Sequence, residues 1–386
     1  MKKLIALLLS LSMILALGLT GCSSSSSDDA EETTEATESE EETTEEEDAD
    51  DADDSSSSDS VVYPEMTLTV SCSYGETETA GQTLAYFLDY ITEASGGNIQ
   101  FDVYWGATFC SASEDLTYVQ NGSVDMTLLS VAEYTDVLPL NNFPNWAGGS
   151  QQNVVDYFEY LMFENEETSE LILAEHEEQN IKVLGVNAGG ANAFAAKFEI
   201  TSYEDLVGHT MGYLTNQSTF EALGITCSFS SPPDTYANLE KGVVDCAAMA
   251  LTGMVSMAWY EAAPYIMLDG MYACSNFYTI NLDVWNSFDE ATQALFEEAA
   301  EAGKDNSFVL NEDELESAIA TVDEYNAAQG IDFTVTTQDD EHIETMLNVF
   351  FENAAADCRT SAANAGKSDE MEIILTAASE FLGVDF

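Results

Sequence analysis

Leu239-Glu240-Lys241-Gly242-Val243-Val244-Asp245-Cys246 repeats a design already used about 120 residues earlier, in Val119-Gln120-Asn121-Gly122-Ser123-Val124-Asp125-Met126. Each stretch predicts a short helix that ends at a Gly suited to a left-handed C-cap, followed by a Val-Asp pair that enters an apolar strand. The second copy has its helix start at Pro233-Asp234. Two such units with matching flanks predict two similar α/β lobes in one chain.

Working outward from the first copy, Met66-Thr67-Leu68-Thr69-Val70 alternates as a strand does. Ala80 to Ser95 carries Leu84, Phe87, Leu88 and Ile91 at helical spacing and stops at Gly96-Gly97. Ile99 to Tyr104 reads as the next strand, and Ser113 is placed to cap a helix running through Gln120, with Glu114 and Asp115 in its first turn. Strand alternating with helix predicts βαβ units and a largely parallel sheet. Beyond the second copy, Asp289 to Gln329 contains no Pro and one Gly, which predicts one long helix or two nearly continuous ones. Phe333-Thr334-Val335 then reads as a strand, and Asp340 to Asn364 and Asp369 to Phe381 as helices.

The chain opens differently. Met1-Lys2-Lys3 precedes an apolar run from Leu4 to Leu19, too short for a convincing span and fitting a secretory signal over residues 1–21. Leu19-Thr20-Gly21-Cys22 resembles the lipobox of bacterial lipoproteins, in which the peptide is cut before the Cys and the Cys is diacylated. That resemblance implies a stable anchor on the outer face of a cell membrane, because two acyl chains hold where one does so marginally. Residues 23–60 are almost wholly Ser, Thr, Ala, Asp and Glu, a composition that buries too little to order itself; with Cys22 they predict an acidic tether over 22–60.

Seventy-two acids stand against eight bases, and Arg359 is the only arginine. Such a balance excludes nucleic acid as a partner, since nothing neutralises phosphates. Six cysteines follow Cys22 at wide, irregular spacing without a C-x-x-C, so no redox or zinc motif is present; they are either disulfides or small buried hydrophobes. Catalytic constellations are missing too. His176, His209 and His342 sit among polar or acidic sequence neighbours, and His176-Glu177 lacks the second His of a metalloprotease helix. No G-x-S-x-G elbow or phosphate-cradling loop occurs. No catalytic residue, metal ligand or cofactor is expected, which leaves a tethered two-lobed ligand receptor.

Three further segments carry a family resemblance. Tyr236 to Asp245 resembles the "vY-x-x-L-x-x-G-vvD" signature of TRAP transporter solute-binding proteins, Ser202 to Gly208 is similar to their "s-x-x-D-L-x-G", and Ile280 to Phe288 to their "iN-x-x-x-W-x-x-L". The segments keep the family's order and spacing, and the resemblance covers residues 65 to 386. It implies a periplasmic-binding-protein-like (Venus flytrap) α/β fold, with a long helix spanning both lobes. Lobe 1 would cover about 61–186 and 255–288, lobe 2 about 187–254, and the spanning and C-terminal helices 289–386. It also implies capture of a small organic solute and its delivery to the membrane permease subunits of a TRAP transporter. A ligand-sensing lipoprotein acting on a signalling partner, and a secreted enzyme, are the other readings.

The family's carboxylate-binding Arg falls at Gly212 here, a second commonly basic position near Asn192, and the family's Asn near Met249. Lys197 is the one nearby base, at a position the family often gives to a surface hinge lysine. A buried carboxylate without a paired cation is costly, so the solute is expected to be neutral or cationic. Its candidate contacts lie at predicted strand ends: Ser71, Tyr74, Trp105, Ser130, Asn187, Asn192, Tyr213, Asn216, Thr252, Asn276 and Phe277, with Glu133 as a charge for a cation.

Overall fold

A computed structural model describes residues 61–130, 134–144, 146–213 and 217–385. The expected signal, Cys22 anchor and tether, and Glu133 and Asn216, lie outside the described residues. In lobe 1, β1 (Met66–Ser71) leads into α1 (Thr79–Ala94), which buries Leu84, Phe87, Leu88 and Ile91, and β2 (Ile99–Tyr104) returns parallel to β1. The next helix, α2 (Asp115–Gln120), begins two residues after Ser113, which does not cap it. Glu114 closes the preceding turn instead, accepting the Ser111 N–H at 3.1 Å and its hydroxyl at 2.6 Å. β3 (Met126–Ser130) then pairs with β1 on its other side, also parallel.

A short β4 (Trp146–Gly148), α3 (Gln151–Glu159), a wide π turn and α4 (Glu166–Glu178) lead to β5 (Ile181–Ala196). Lobe 2 repeats the first design. β6 (Thr210–Tyr213), α5 (Gln217–Ala222), β7 (Thr226–Phe229), α6 (Pro232–Lys241) and β8 (Cys246–Ala250) place β6 between two parallel neighbours. Then come α7 (Leu251–Ser256), α8 (Trp259–Ala262), β9 (Tyr265–Asn281) and α9 (Leu282–Ser287). The chain ends with α10 (Glu290–Gln329), β10 (Thr336–Thr337), α11 (Asp340–Ala365) and α12 (Ser368–Leu382).

The strand order is β2-β1-β3-β9-β5-β8-β6-β7, with β4 and β10 on β9. β9 runs antiparallel to both β3 and β5, and β5 antiparallel to β8. The sheet is therefore mixed, not largely parallel. The physical reason is that the chain passes between lobes twice in single extended strands, and a return passage must run the opposite way.

The internal echo is realised atom for atom. Gly122 and Gly242 take φ of +73° and +71°, the left-handed region that a Cβ disfavours. Asp125 donates its N–H to Thr69 O at 2.8 Å and accepts Thr69 N–H on Oδ2 at 2.7 Å. Asp245 does the same with Thr210, at 2.7 and 3.1 Å. Each Val-Asp pair thus stitches the third strand of a lobe to its first.

Residues 290–329 form one helix, capped by the Asp289 side chain and reaching both lobes through α1, β5 and α7. Its single glycine is a packing requirement, since a Cβ on Gly303 would lie 2.6 Å from the Tyr278 hydroxyl. Strand pairing after it falls at Thr336–Thr337 and not at Phe333–Val335. There α10 claims the backbone: Asn326 Nδ2 donates to Phe333 O at 3.0 Å, and Asp323 Oδ1 accepts Val335 N–H at 2.7 Å. No helix among the described residues is long and apolar enough to cross a membrane.

Candidate functional site

A cleft of about 600 Å³ opens between the β1–α1 segment of lobe 1 and the β8–α7 segment of lobe 2. Tyr74, Glu78, Thr79 and Thr83 line one wall, Met249, Ala250, Thr252 and Met257 the other, and Asn187 to Gly190 of β5 with Asn311 and Glu314 of α10 close it. β5 shapes this floor because its ladder with β9 shifts register between Asn187 and Ala193. Where the ladder lapses, α10 takes over: Ala188 N–H donates to Ser307 Oγ at 2.9 Å, and Ala188 O accepts from Asn311 Nδ2 at 3.0 Å. A Cβ on Gly190 would meet Thr252 Oγ1 at 3.7 Å, Ala250 Cβ at 3.8 Å and Asn311 Oδ1 at 3.8 Å. Those are ordinary contacts, so packing does not force a glycine there.

Of the residues singled out in the sequence, Tyr74, Asn187, Met249 and Thr252 line the cleft. Asn276 is tied to them, its Oδ1 accepting from the Tyr74 hydroxyl at 3.3 Å and its N–H donating to Asn187 Oδ1 at 3.2 Å. Ser71 is fully buried and donates to Asp115 Oδ1 at 3.0 Å, a carboxylate that Ser73 Oγ also reaches. Asn192 pairs with Ala250 and is 7% exposed, its Nδ2 without a hydrogen-bond partner among the described residues. Trp105 and Ser130 are half-buried at strand ends without lining the cleft. Phe277 is fully buried in the lobe 1 core. Tyr213 ends β6, where its backbone pairs with Phe229. A Cβ on Gly212 would approach Ser230 Cβ at 3.1 Å and Val244 Cγ2 at 3.4 Å.

Glu78, Glu314 and Asn311 belong to the cleft and were not recognised in the sequence, where nothing separates two acids from seventy others. Lys197 does not face it: Nζ donates to Leu239 O at 3.0 Å and caps α6. His176 corrects the reading of its surroundings. It is buried, its ring edge-on to Phe277 at 6.0 Å, and burial pushes its pKa down to about 4. Cys72, Cys110, Cys227, Cys246 and Cys358 are free thiols. Among the described residues no group of His, Cys, Asp and Glu is arranged to hold a metal ion. A larger groove, about 1090 Å³, follows α11 from Ile343 to Phe351 towards Asp385 and holds none of the candidate contacts.

A family model described as bacterial extracellular solute-binding protein, family 7, matches residues 70–357. A solute-binding protein of Sulfitobacter sp. (strain NAS-14.1) is 23% identical over 251 residues, covering 61% of this chain and 72% of that protein. The apo structure of the ectoine binding protein of the TeaABC TRAP transporter superposes with a TM-score of 0.70 at 17% identity, over 82% of this chain and 99% of that one. An apo open structure of a TRAP periplasmic solute binding protein from Rhodobacter sphaeroides gives 0.67 at 18% identity, over 82% and 98%. The architecture is the two-lobed fold of those proteins.

Proposed function

The chain belongs to the bacterial extracellular solute-binding proteins of family 7, and from that premise we propose that it captures a small neutral or cationic organic solute in the interlobe cleft and delivers it to the membrane subunits of a TRAP-type transporter. The family is one of receptors, not of enzymes. Binding drives closure because the solute touches both walls only when the lobes approach, which gives the closed state its extra binding energy. Lipid on Cys22 and the acidic tether would keep the receptor near its permease and so raise the effective concentration.

One observation carries the assignment of ligand charge: among the described residues no base lines the cleft. After residue 60 the chain has six bases, Lys182, Lys197, Lys241, Lys304, Lys367 and Arg359. Lys182 lies over the Trp285 ring, Lys304 is held by Glu159 and Glu301, Lys367 by Glu175 and Arg359 by Glu372, while Lys197 and Lys241 serve the end of α6. A carboxylate entering the cleft would lose its hydration without gaining an ion pair.

The test is a thermal-shift screen of residues 23–386 against neutral, cationic and anionic solutes, repeated on Gly190→Val. The variant narrows the cleft floor at a position where a Cβ makes only ordinary contacts with its neighbours. Neutral or cationic solutes that raise the melting temperature of the parent protein, with the shift lost in the variant, are expected. A tight dicarboxylate, or ligands indifferent to the substitution, would remove the proposal.

A further inference from the structure

Among the described residues, two carboxylates face the cleft. Glu78 occupies the N-cap of α1, yet its side chain makes no capping bond. It folds back instead, so that Oε1 lies 3.1 Å from where a Cβ on Gly75 would stand. Glu314 reaches the same space from α10, one turn beyond Asn311, and the Thr79 hydroxyl donates to its Oε2. Neighbouring positions 78 and 79 therefore bring one acid to the cleft and bind the second, on α10, through the Thr79 hydroxyl. Like charges so placed repel, and a cation between them removes the repulsion.

The positive end of α1 also points here and carries about half a unit charge. Glu78 at the cap sets a full negative charge against it. The remaining lining suits an alkylated cation. Tyr74 offers a ring, whose face attracts cations, and Met249 and Met257 offer polarisable thioethers. At Gly190 a Cβ would already touch Thr252 Oγ1, Ala250 Cβ and Asn311 Oδ1 at 3.7–3.8 Å, so any larger side chain there narrows the cleft.

We infer that the solute is an organic cation whose charged nitrogen lies between Glu78 and Glu314. The inference rests on the receptor reading above. Such a ligand exchanges its hydration for two charge-assisted contacts from different elements of the fold, α10 and the start of α1.

Calorimetry on residues 23–386 at about 150 mM NaCl, where long-range attraction is screened, tests this with two alkylammonium probes, choline and putrescine. Their uncharged analogues 3,3-dimethyl-1-butanol and 1,4-butanediol, and succinate as an anion, complete the set. At least one ammonium probe is expected to bind about tenfold tighter than its analogue. Glu314→Gln should lower that affinity by about tenfold or more, while Glu324→Gln, an exposed acid on the same helix, leaves it unchanged. An analogue or succinate that binds as well as the ammonium probes, or an ammonium affinity unmoved by Glu314→Gln, overturns the inference. If a tighter neutral analogue is still lost in Gly190→Val, the receptor reading survives without the cation assignment. No response to any of the five probes overturns the cation assignment for both alkylammonium classes.

Discussion

Asp269 is 2% exposed in β9, with Oδ1 accepting the Met271 N–H at 2.8 Å, and burial pushes its pKa up to about 7. Its folded pKa lies above the unfolded value of 3.8. Its contribution to stability is therefore fully present below pH 3.8 and is lost as pH rises through about 7. Asp269→Asn keeps the acceptor and removes the charge. The variant should match the parent near pH 4 and exceed it at pH 8 by a few kcal/mol at most, because each tenfold change in proton affinity is worth about 1.4 kcal/mol. Paired denaturant titrations at the two pH values read that difference, and equal stabilities at pH 8 would show that the carboxyl is not strained. His176 is the mirror case, a base kept neutral by burial. It follows Ile172 by one turn on the buried face of α4, and its Nδ1 donates to Ile172 O at 2.8 Å. Helical spacing carried that signal, but acidic sequence neighbours concealed it.

At the scale of elements, the motifs that announced the family turn out to be staples of the fold. Asp205 accepts the N–H groups of Thr201 and Ser202, closing a capping box before Gly208. Asn281 caps α9 by accepting from Asp283 and Val284, ahead of the buried Trp285. Asp125 and Asp245 tie corresponding strands together. These signals are legible because short-range hydrogen bonds demand particular residues at fixed offsets. β5 and β9 were not legible: β5 is buried on both faces for most of its length, so it shows no alternation. The cleft was legible only in part, because Glu78 and Glu314 are placed by tertiary structure among many exposed acids. The equivalence of the two Asp staples makes a prediction. Asp125→Ala and Asp245→Ala should each cost about 1–2 kcal/mol, the usual loss when a backbone N–H forfeits a charged acceptor in a partly exposed site. Hydrogen exchange should localise the damage, the Thr69 amide losing protection in the first variant and the Thr210 amide in the second. Protection lost equally in both lobes from either substitution would refute independent stapling.

Across the whole molecule, charge links stability and ligand capture with opposite signs. A formal net charge of −64, from 72 acids against eight bases, leaves most acids without a base to pair with, and compaction on folding brings like charges closer. Salt shortens the reach of that repulsion from about 30 Å at 0.01 M to about 10 Å at 0.1 M. The melting temperature of the ligand-free protein should accordingly climb by several degrees between about 10 and 300 mM NaCl, a change corresponding to roughly 1–2 kcal/mol. Capture of a cation responds the other way, because the same screening weakens the attraction that draws it to the cleft. Association rates measured by stopped flow should fall steeply across that range, while the change in dissociation rate stays small. The pairing is diagnostic. A neutral solute would show the rising melting temperature with flat association rates, whereas an anionic one would associate faster as salt is added, its repulsion relieved together with that of the fold.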